Sequence, residues 1–326
     1  MTVRRAPGSD TVIARLVREA VSGALRDSVS AWRRDFLRPT GDTSFAARMA
    51  RPLLCGVAPA LDAPESARWV PARDRFLISV VGGAPAAKDN DGTIAVAMYD
   101  GAIEWPKWIQ GGHNGVTLHA PKGMWVGGDT LWVTDIDVVR GFHVRTGAPL
   151  KTITFPGEAP DFLNDIVGAP DGSLYVTDTG FRFGPDGKPL PPGPGRLYRI
   201  ANGVATVALD GPQLGQPNGV AWDRDGARLI IAPSASDTLL AWTPGAAAPA
   251  PVAVGPGRYD GVEVLPGGRI LVTSWKGAAV MLVREGRMVP FATGLTTPAD
   301  IGYDDGRRVL AVPLLRAGKV NFYTLP

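Results

Sequence analysis

Two carboxylates, two carboxamides and one lysine stand at the same place in six recurring segments of this chain. The segments are Pro64-Glu65-Ser66-Ala67, Pro121-Lys122-Gly123-Met124, Leu163-Asn164-Asp165-Ile166, Pro217-Asn218-Gly219-Val220, Tyr259-Asp260-Gly261-Val262 and Pro298-Ala299-Asp300-Ile301. Their second position holds Glu65, Lys122, Asn164, Asn218, Asp260 and Ala299. Carboxylates can serve as bases or nucleophiles, and a lysine can orient an anionic group or steady an oxyanion. The structural alternative is that Asn and Asp here start turns and hold nearby backbone groups. Other chemistries find little footing. One cysteine, Cys55, permits no intrachain disulfide or cysteine-rich zinc site, and it reads as a small buried hydrophobe. His113, His119 and His143 lack helical metal-binding spacing, and the Gly-x-Ser-x-Gly elbow of serine hydrolases is missing.

The elements that must position these residues follow from the repeat itself. Each segment leads into a short strand and then a turn such as Gly127-Gly128-Asp129, Pro170-Asp171-Gly172 or Pro266-Gly267-Gly268, rich in residues that tolerate positive φ. An aliphatic strand comes next, for example Phe76-Leu77-Ile78-Ser79-Val80 or Leu229-Ile230-Ile231-Ala232, and two weaker alternating runs complete a four-stranded antiparallel unit. Spacings between the second positions are 57, 42, 54, 42 and 39 residues, the two long ones being assigned to insertions at 83–118 and 181–195. A baseline of about 40 residues is the length of a propeller blade. The reading is therefore all-β: a six-bladed β-propeller over residues 51–326, in which the strand around Pro52–Ala58 completes the last blade and covers its open edge. Equivalent starts of inner strands then meet around one axis on one face. Asp135, Asp178, Ser234 and Trp275, at the ends of second strands, become candidate pocket walls, with Asp178 also a brace for the loop starting at Gly180-Phe181.

Residues 1–50 read differently. Val12, Ile13, Leu16, Val17, Ala20, Val21, Ala24 and Leu25 recur at helical spacing, with Arg15, Arg18 and Arg26 between them, so this arginine-rich extension is expected to be helical. A helix packed on the propeller, a surface anchor and a start codon misassigned ahead of Met49 are its three readings. The segment holds nine arginines against five acids, and the remaining 276 residues carry 25 basic against 26 acidic side chains. A body so near neutrality, its charges spread singly, lacks the cationic face that nucleic acid requires. No apolar run is long enough for a membrane span, and the absence of a secretory pattern with a single cysteine makes the cytoplasm the expected compartment.

The order and spacing of Leu163-Asn164-Asp165-Ile166-Val167, Pro217-Asn218-Gly219-Val220-Ala221 and Tyr259-Asp260-Gly261-Val262 resemble the senescence marker protein/gluconolactonase family. That family contains the regucalcin-like lactonases and is related to the diisopropyl fluorophosphatase and paraoxonase propellers. The resemblance covers residues 51–326 and implies one divalent metal, usually calcium, at the head of the central tunnel. Carried over position by position, the metal ligands are Glu65, Asn164, Asn218 and Asp260. Two anionic and two amide oxygens suit a hard cation and leave room for water and substrate, with zinc, magnesium and manganese as other candidates. The implied reaction is hydrolysis of a small-molecule lactone or ester, the metal acting as Lewis acid and Asp260 as ligand and base or nucleophile. Lys122 is the second candidate catalytic residue. Lys122, Phe162, Asp165, His119 and Trp275 are candidate substrate-binding residues.

Two departures from the family pattern bear on the substrate. Regucalcin-like lactonases carry an Arg two residues before the Asn-Asp motif, where Phe162 stands here, and their Glu-Gly-Pro is replaced by Glu65-Ser66-Ala67. A more apolar lactone or ester is then expected, with the two insertions, including Trp105 and Trp108, covering or shaping the pocket. The reading from another class is a non-catalytic NHL-like propeller that binds a protein or small ligand on the same face.

Overall fold

The computed structural model describes residues 52–184 and 186–326, and these are almost wholly β, with three single turns of 3-10 helix. The helix expected within residues 1–50 lies outside the described residues. No described helix is long and apolar enough to cross a membrane.

Successive strands pair as antiparallel meanders. Pro64–Val70, Arg75–Val80, Thr93–Ala97 and Ile103–Gln110 form one four-stranded sheet, and Pro121–Gly127, Thr130–Asp135, Val138–His143 and Pro149–Ile153 the next. Leu163–Gly168, Leu174–Asp178, Arg196–Ala201 and Val204–Asp210 follow, with a two-stranded hairpin, Arg182–Phe183 and Pro189–Leu190, between the second strand and the third. The meanders 217–254 and 259–293 are joined into an eight-stranded sheet by a single parallel pairing, Val254 with Arg287, at their outer strands. The last sheet holds Gly302–Asp304, Val309–Leu314, Lys319–Thr324 and, on its outer edge, Leu53–Ala58 from the start of the propeller segment.

The middles of the second strands are apolar on both faces because each lies between two cores, and alternate side chains serve them in turn, with polar residues confined to the strand ends. Phe76 and Ile78 pack with Val309, Ala311 and Phe322 of the last sheet, whereas Leu77 packs with Met124 and Leu131 of the following one. Leu229 and Ile231 likewise face Val167 and Tyr175, while Ile230 and Ala232 face Val262 and Val272. Packing thus runs from sheet to sheet and returns from the last to the first, giving a propeller-type architecture. At that return Phe76 meets Phe322 edge-on, with centroids 5.4 Å apart.

Two expectations need correction. Residues 83–118 are only in part an insertion: Thr93–Ala97 and Ile103–Gln110 are the regular third and fourth strands, and the added length is the loops on either side. Trp105 and Trp108 accordingly sit on an outer strand beneath Arg73, whose guanidinium lies 5.8 and 4.1 Å from their rings. Trp105 lies toward the end of the sheet away from Glu65, opposite Val96. Cys55 is exposed, because its strand is the outermost of the last sheet and its register shifts between Leu54 and Gly56. Replacing Phe322 by Ala empties the core that joins last sheet to first and should lower stability by about 3–5 kcal/mol, read by urea unfolding.

Candidate functional site

Five of the six aligned positions occupy breaks in strand pairing. Register shifts between Pro64 and Ser66, Pro121 and Met124, Leu163 and Ile166, Pro217 and Gly219, and Tyr259 and Val262 place Glu65, Lys122, Asn164, Asn218 and Asp260 in bulges. A bulge frees backbone groups from the ladder and re-aims a side chain. Hydroxyls of the second strands take up the freed groups: Ser79 Oγ accepts from Ser66 N at 2.9 Å, Thr177 Oγ1 from Asp165 N at 2.9 Å and Thr273 Oγ1 from Gly261 N at 2.8 Å. Thr134 Oγ1 donates to Asn164 O at 2.6 Å and Thr177 Oγ1 to Asn218 O at 2.5 Å, tying each sheet to its successor. The glycines that follow some of these positions permit the close approach: a Cβ on Gly261 would lie 2.4 Å from Asp300 Cα.

Glu65, Lys122, Asn164, Asn218 and Asp260 are all buried, with Asp165 and Asp300 beside them. Glu65 Oε2, Asp260 Oδ1 and Asp300 Oδ1 are buried without a hydrogen-bond partner among the described residues. Burial pushes the Glu65 carboxyl well above its ordinary range, and the charges of Asp260 and Asp300 push it further, against the opposing pull of Lys122. Asp260 is pushed up to about 8, first by burial and then by Asp300, with Trp275 working the other way. Asp165 is likewise raised by burial and by Asp300, against Arg68. Lys122 is lowered to about 8 by burial, against Glu65 and Asp135. The centre is an anionic cluster short of positive charge.

A hard cation fits that shortage, since the unpartnered oxygens of Glu65 and Asp260 share the ring of aligned positions with the carboxamides of Asn164 and Asn218. Among the described residues no three His, Cys, Asp or Glu side chains form a metal cluster by themselves, so the carboxamides would be needed to complete the shell.

The other predicted residues fall into place unequally. Lys122 Nζ donates to Ala120 O at 2.9 Å and Pro85 O at 3.0 Å and lies 4.1 Å from the centroid of Phe162. Phe162 meets Phe181 and Phe183 of the 181–195 insertion at 5.6 and 5.8 Å, forming an apolar wall. Asp165 is a clamp: its Oδ1 accepts from Ile166 N and its Oδ2 from Val220 N of the next sheet, each at 2.7 Å. Trp275 keeps its indole N–H buried without a well-formed hydrogen bond, near enough to Asp260 to favour the charged carboxylate. His119 Nδ1 accepts from Asn90 N at 3.0 Å, which ties it to the 81–92 loop and not to the ring. Three expected pocket walls are backbone braces instead. Asp135 accepts from His119 N and Ala120 N, Asp178 from Phe162 N and Gly180 N, and Ser234 Oγ donates to Gln216 O. Each holds the segment entering the first strand of its own sheet, and Asp178 fulfils the loop-bracing role expected of it.

The repeat alignment missed Asp300, Arg68 and Glu263. Asp300 stands one place after Ala299; its N donates to Glu65 O at 2.8 Å, its O accepts from Ala67 N at 3.3 Å, and its Oδ2 accepts from Ser66 Oγ at 2.6 Å. It therefore pins the Glu65 strand to the last sheet. Arg68 and Glu263 lie three residues past Glu65 and Asp260 and pair at 3.3 Å, while Arg68 Nε donates to Met124 O at 2.9 Å. They sit in the floor of a cavity of about 780 Å³ at the opposite mouth, also lined by Trp125, Trp222 and Tyr303. Their signal was available: opposite charges at matching places in otherwise apolar inner strands.

A family model for the SMP-30/gluconolactonase/LRE-like region matches residues 110–293. The chain belongs to this family. No curated protein sequence matches it. Among solved structures, a gluconolactonase from Xanthomonas campestris is 21% identical, with 89% of this chain and 99% of that one covered at a TM-score of 0.65. A luciferin-regenerating enzyme is 13% identical, with 83% and 94% covered at 0.60. Both show the same propeller-type fold.

Burial raises the Glu263 carboxyl to about 7, helped by Asp300 and opposed by Arg68. A carboxyl raised on folding contributes stability at low pH and loses it as pH climbs from its ordinary 4.5 through 7. Glu263→Gln should remove that part of the pH dependence in urea unfolding. Arg68→Met leaves Glu263 and its neighbours without their cation and should cost about 3–5 kcal/mol, partly recovered in the double variant with Glu263→Gln.

Proposed function

We propose that the chain is a six-bladed β-propeller hydrolase that opens a lactone or related ester with the help of one divalent cation, calcium first among the candidates. The blade count is supported by the eight-stranded sheet, which is two four-stranded meanders touching through one outer pairing, and by the placement of Leu53–Ala58 as the fourth strand of the last unit. The function rests on one observation above the others: Glu65 and Asp260 each leave a carboxylate oxygen buried without a donor among the described residues. Family membership supplies the reaction class, and the gluconolactonase among the solved neighbours is consistent with it.

Glu65, Asn164, Asn218 and Asp260 would hold the cation. When bound, it supplies Lewis acidity to the scissile carbonyl and stabilises the charge that develops on its oxygen. This chain's residues do the rest. Asp260 takes a proton from the attacking water or attacks the carbonyl itself, with the Trp275 N–H favouring its ionised form. Lys122 has two of its three protons committed to Ala120 O and Pro85 O, which leaves one to orient a substrate oxygen. Phe162, Phe181 and Phe183 receive the apolar part of the substrate and exclude water there.

Elemental analysis of the purified protein should find about one divalent metal per chain, and calcium should raise the unfolding temperature relative to chelator. Asp260→Asn and Glu65→Gln should each lower kcat/KM on a lactone and aryl ester panel by at least about 100-fold. Protein free of metal, with no thermal response to calcium and no turnover changed by either substitution, would favour the non-catalytic, ligand-binding propeller.

A further inference from the structure

Beside Asp260 the rim of the site carries positive charge that enters no ion pair among the described residues. Arg258 and Arg316 place their guanidinium carbons 5.6 and 5.7 Å from the centroid of the same indole, Trp275. Arg258 comes two residues before Asp260 and is held with a left-handed φ of 50°, its carbonyl accepting from Trp275 N at 2.9 Å. Arg316 belongs to the turn Leu315–Ala317 that follows a second strand, fixed by donation of its backbone N to Thr297 Oγ1 at 3.0 Å. Both arginines are exposed, as is Lys276 next to Trp275, and among the described residues none of the three enters an ion pair. An acid on the same rim, Asp237, accepts a hydrogen bond from the Thr238 hydroxyl and sits on no arginine.

Two guanidinium groups beside one indole are near enough for a single anion to feel both, the Debye length being about 10 Å at 0.1 M salt. A cation–π contact with Trp275 holds each guanidinium near the ring without consuming its hydrogen-bond donors, which stay free for a carboxylate. From another sheet of the same face, Phe162, Phe181 and Phe183 present an apolar wall where sugar-lactone hydrolases of the family carry an arginine.

We propose that the substrate is an amphipathic anion: an ester or lactone whose apolar arm packs on Phe162, Phe181 and Phe183 and whose carboxylate is held by Arg258 and Arg316 over Trp275. This deepens the hydrolase reading and rests on it for the scissile bond alone, since the anion grip needs no chemistry.

The test uses paired substrates, a lactone or aryl ester bearing an alkyl chain with a terminal carboxylate and the same compound with a carboxamide in its place. Wild-type protein with calcium should prefer the carboxylate by about 10–100-fold in kcat/KM, the range of one or two charge-assisted contacts. Arg258→Ala and Arg316→Ala should bring that ratio toward one through KM, their double variant should abolish it, and added salt should shrink it. Equal use of both compounds by wild type, or a ratio that neither arginine variant changes, overturns the proposal. Calorimetry with the hydroxy-acid product separates this idea from the hydrolase reading. Carboxylate-dependent binding that is lost in the double variant supports the anion site even if no compound is turned over, and absence of such binding overturns it.

Discussion

Five carboxylates, Glu65, Asp165, Asp260, Asp300 and Glu263, converge on the centre of this fold, with Arg68 and Lys122 as the cations set among them. Buried charge of one sign is costly unless it is paired, hydrogen-bonded or offset by a metal. Asp165 meets the condition by accepting two backbone N–H groups, Asp300 at one of its two oxygens by the Ser66 hydroxyl, and Glu263 by Arg68. Among the described residues Glu65, Asp260 and Asp300 each retain a buried oxygen without a partner. That remaining deficit is what the proposed cation would meet, because a binding centre requires groups whose needs the folded protein leaves unmet.

The surrounding structure keeps the deficit in place. Bulges aim the aligned side chains inward, second-strand hydroxyls hold the freed backbone, and Asp135 and Asp178 brace the segments that enter the first strands. Asp300 does the same across the return from last sheet to first, so the closing contact also positions Glu65. Stability and site geometry share these contacts. A substitution at Thr134, Thr177 or Asp300 would therefore disturb both, whereas one at Phe162 or Trp275 acts on the walls of the site.

Much of this was legible in the order of residues. Repeats at about 40 residues, turns with Asp-Gly and Gly-Gly, and second strands with apolar side chains on both faces specify antiparallel meanders packed face to face, since such a strand needs a core on each side. Aligning the repeats also brought Glu65, Lys122, Asn164, Asn218 and Asp260 into one column. Local pattern suffices there because each unit repeats the same turn geometry.

What the pattern did not reach depends on groups brought together across sheets. Asp300 sits one place beyond the aligned column, and only the bulge and the return to the first sheet set it against Ser66 and Glu65. Arg68 and Glu263 are 195 residues apart in sequence and become partners because two inner strands face one axis. Cys55 looked like a core residue by type, yet the outer edge of a sheet exposes it. Residue type and spacing alone determined the repeating unit, its closing strand and the ring of polar side chains. Tertiary structure decided which of those side chains are satisfied and which are left wanting a partner, because burial and pairing belong to the assembled sheets and not to any one repeat.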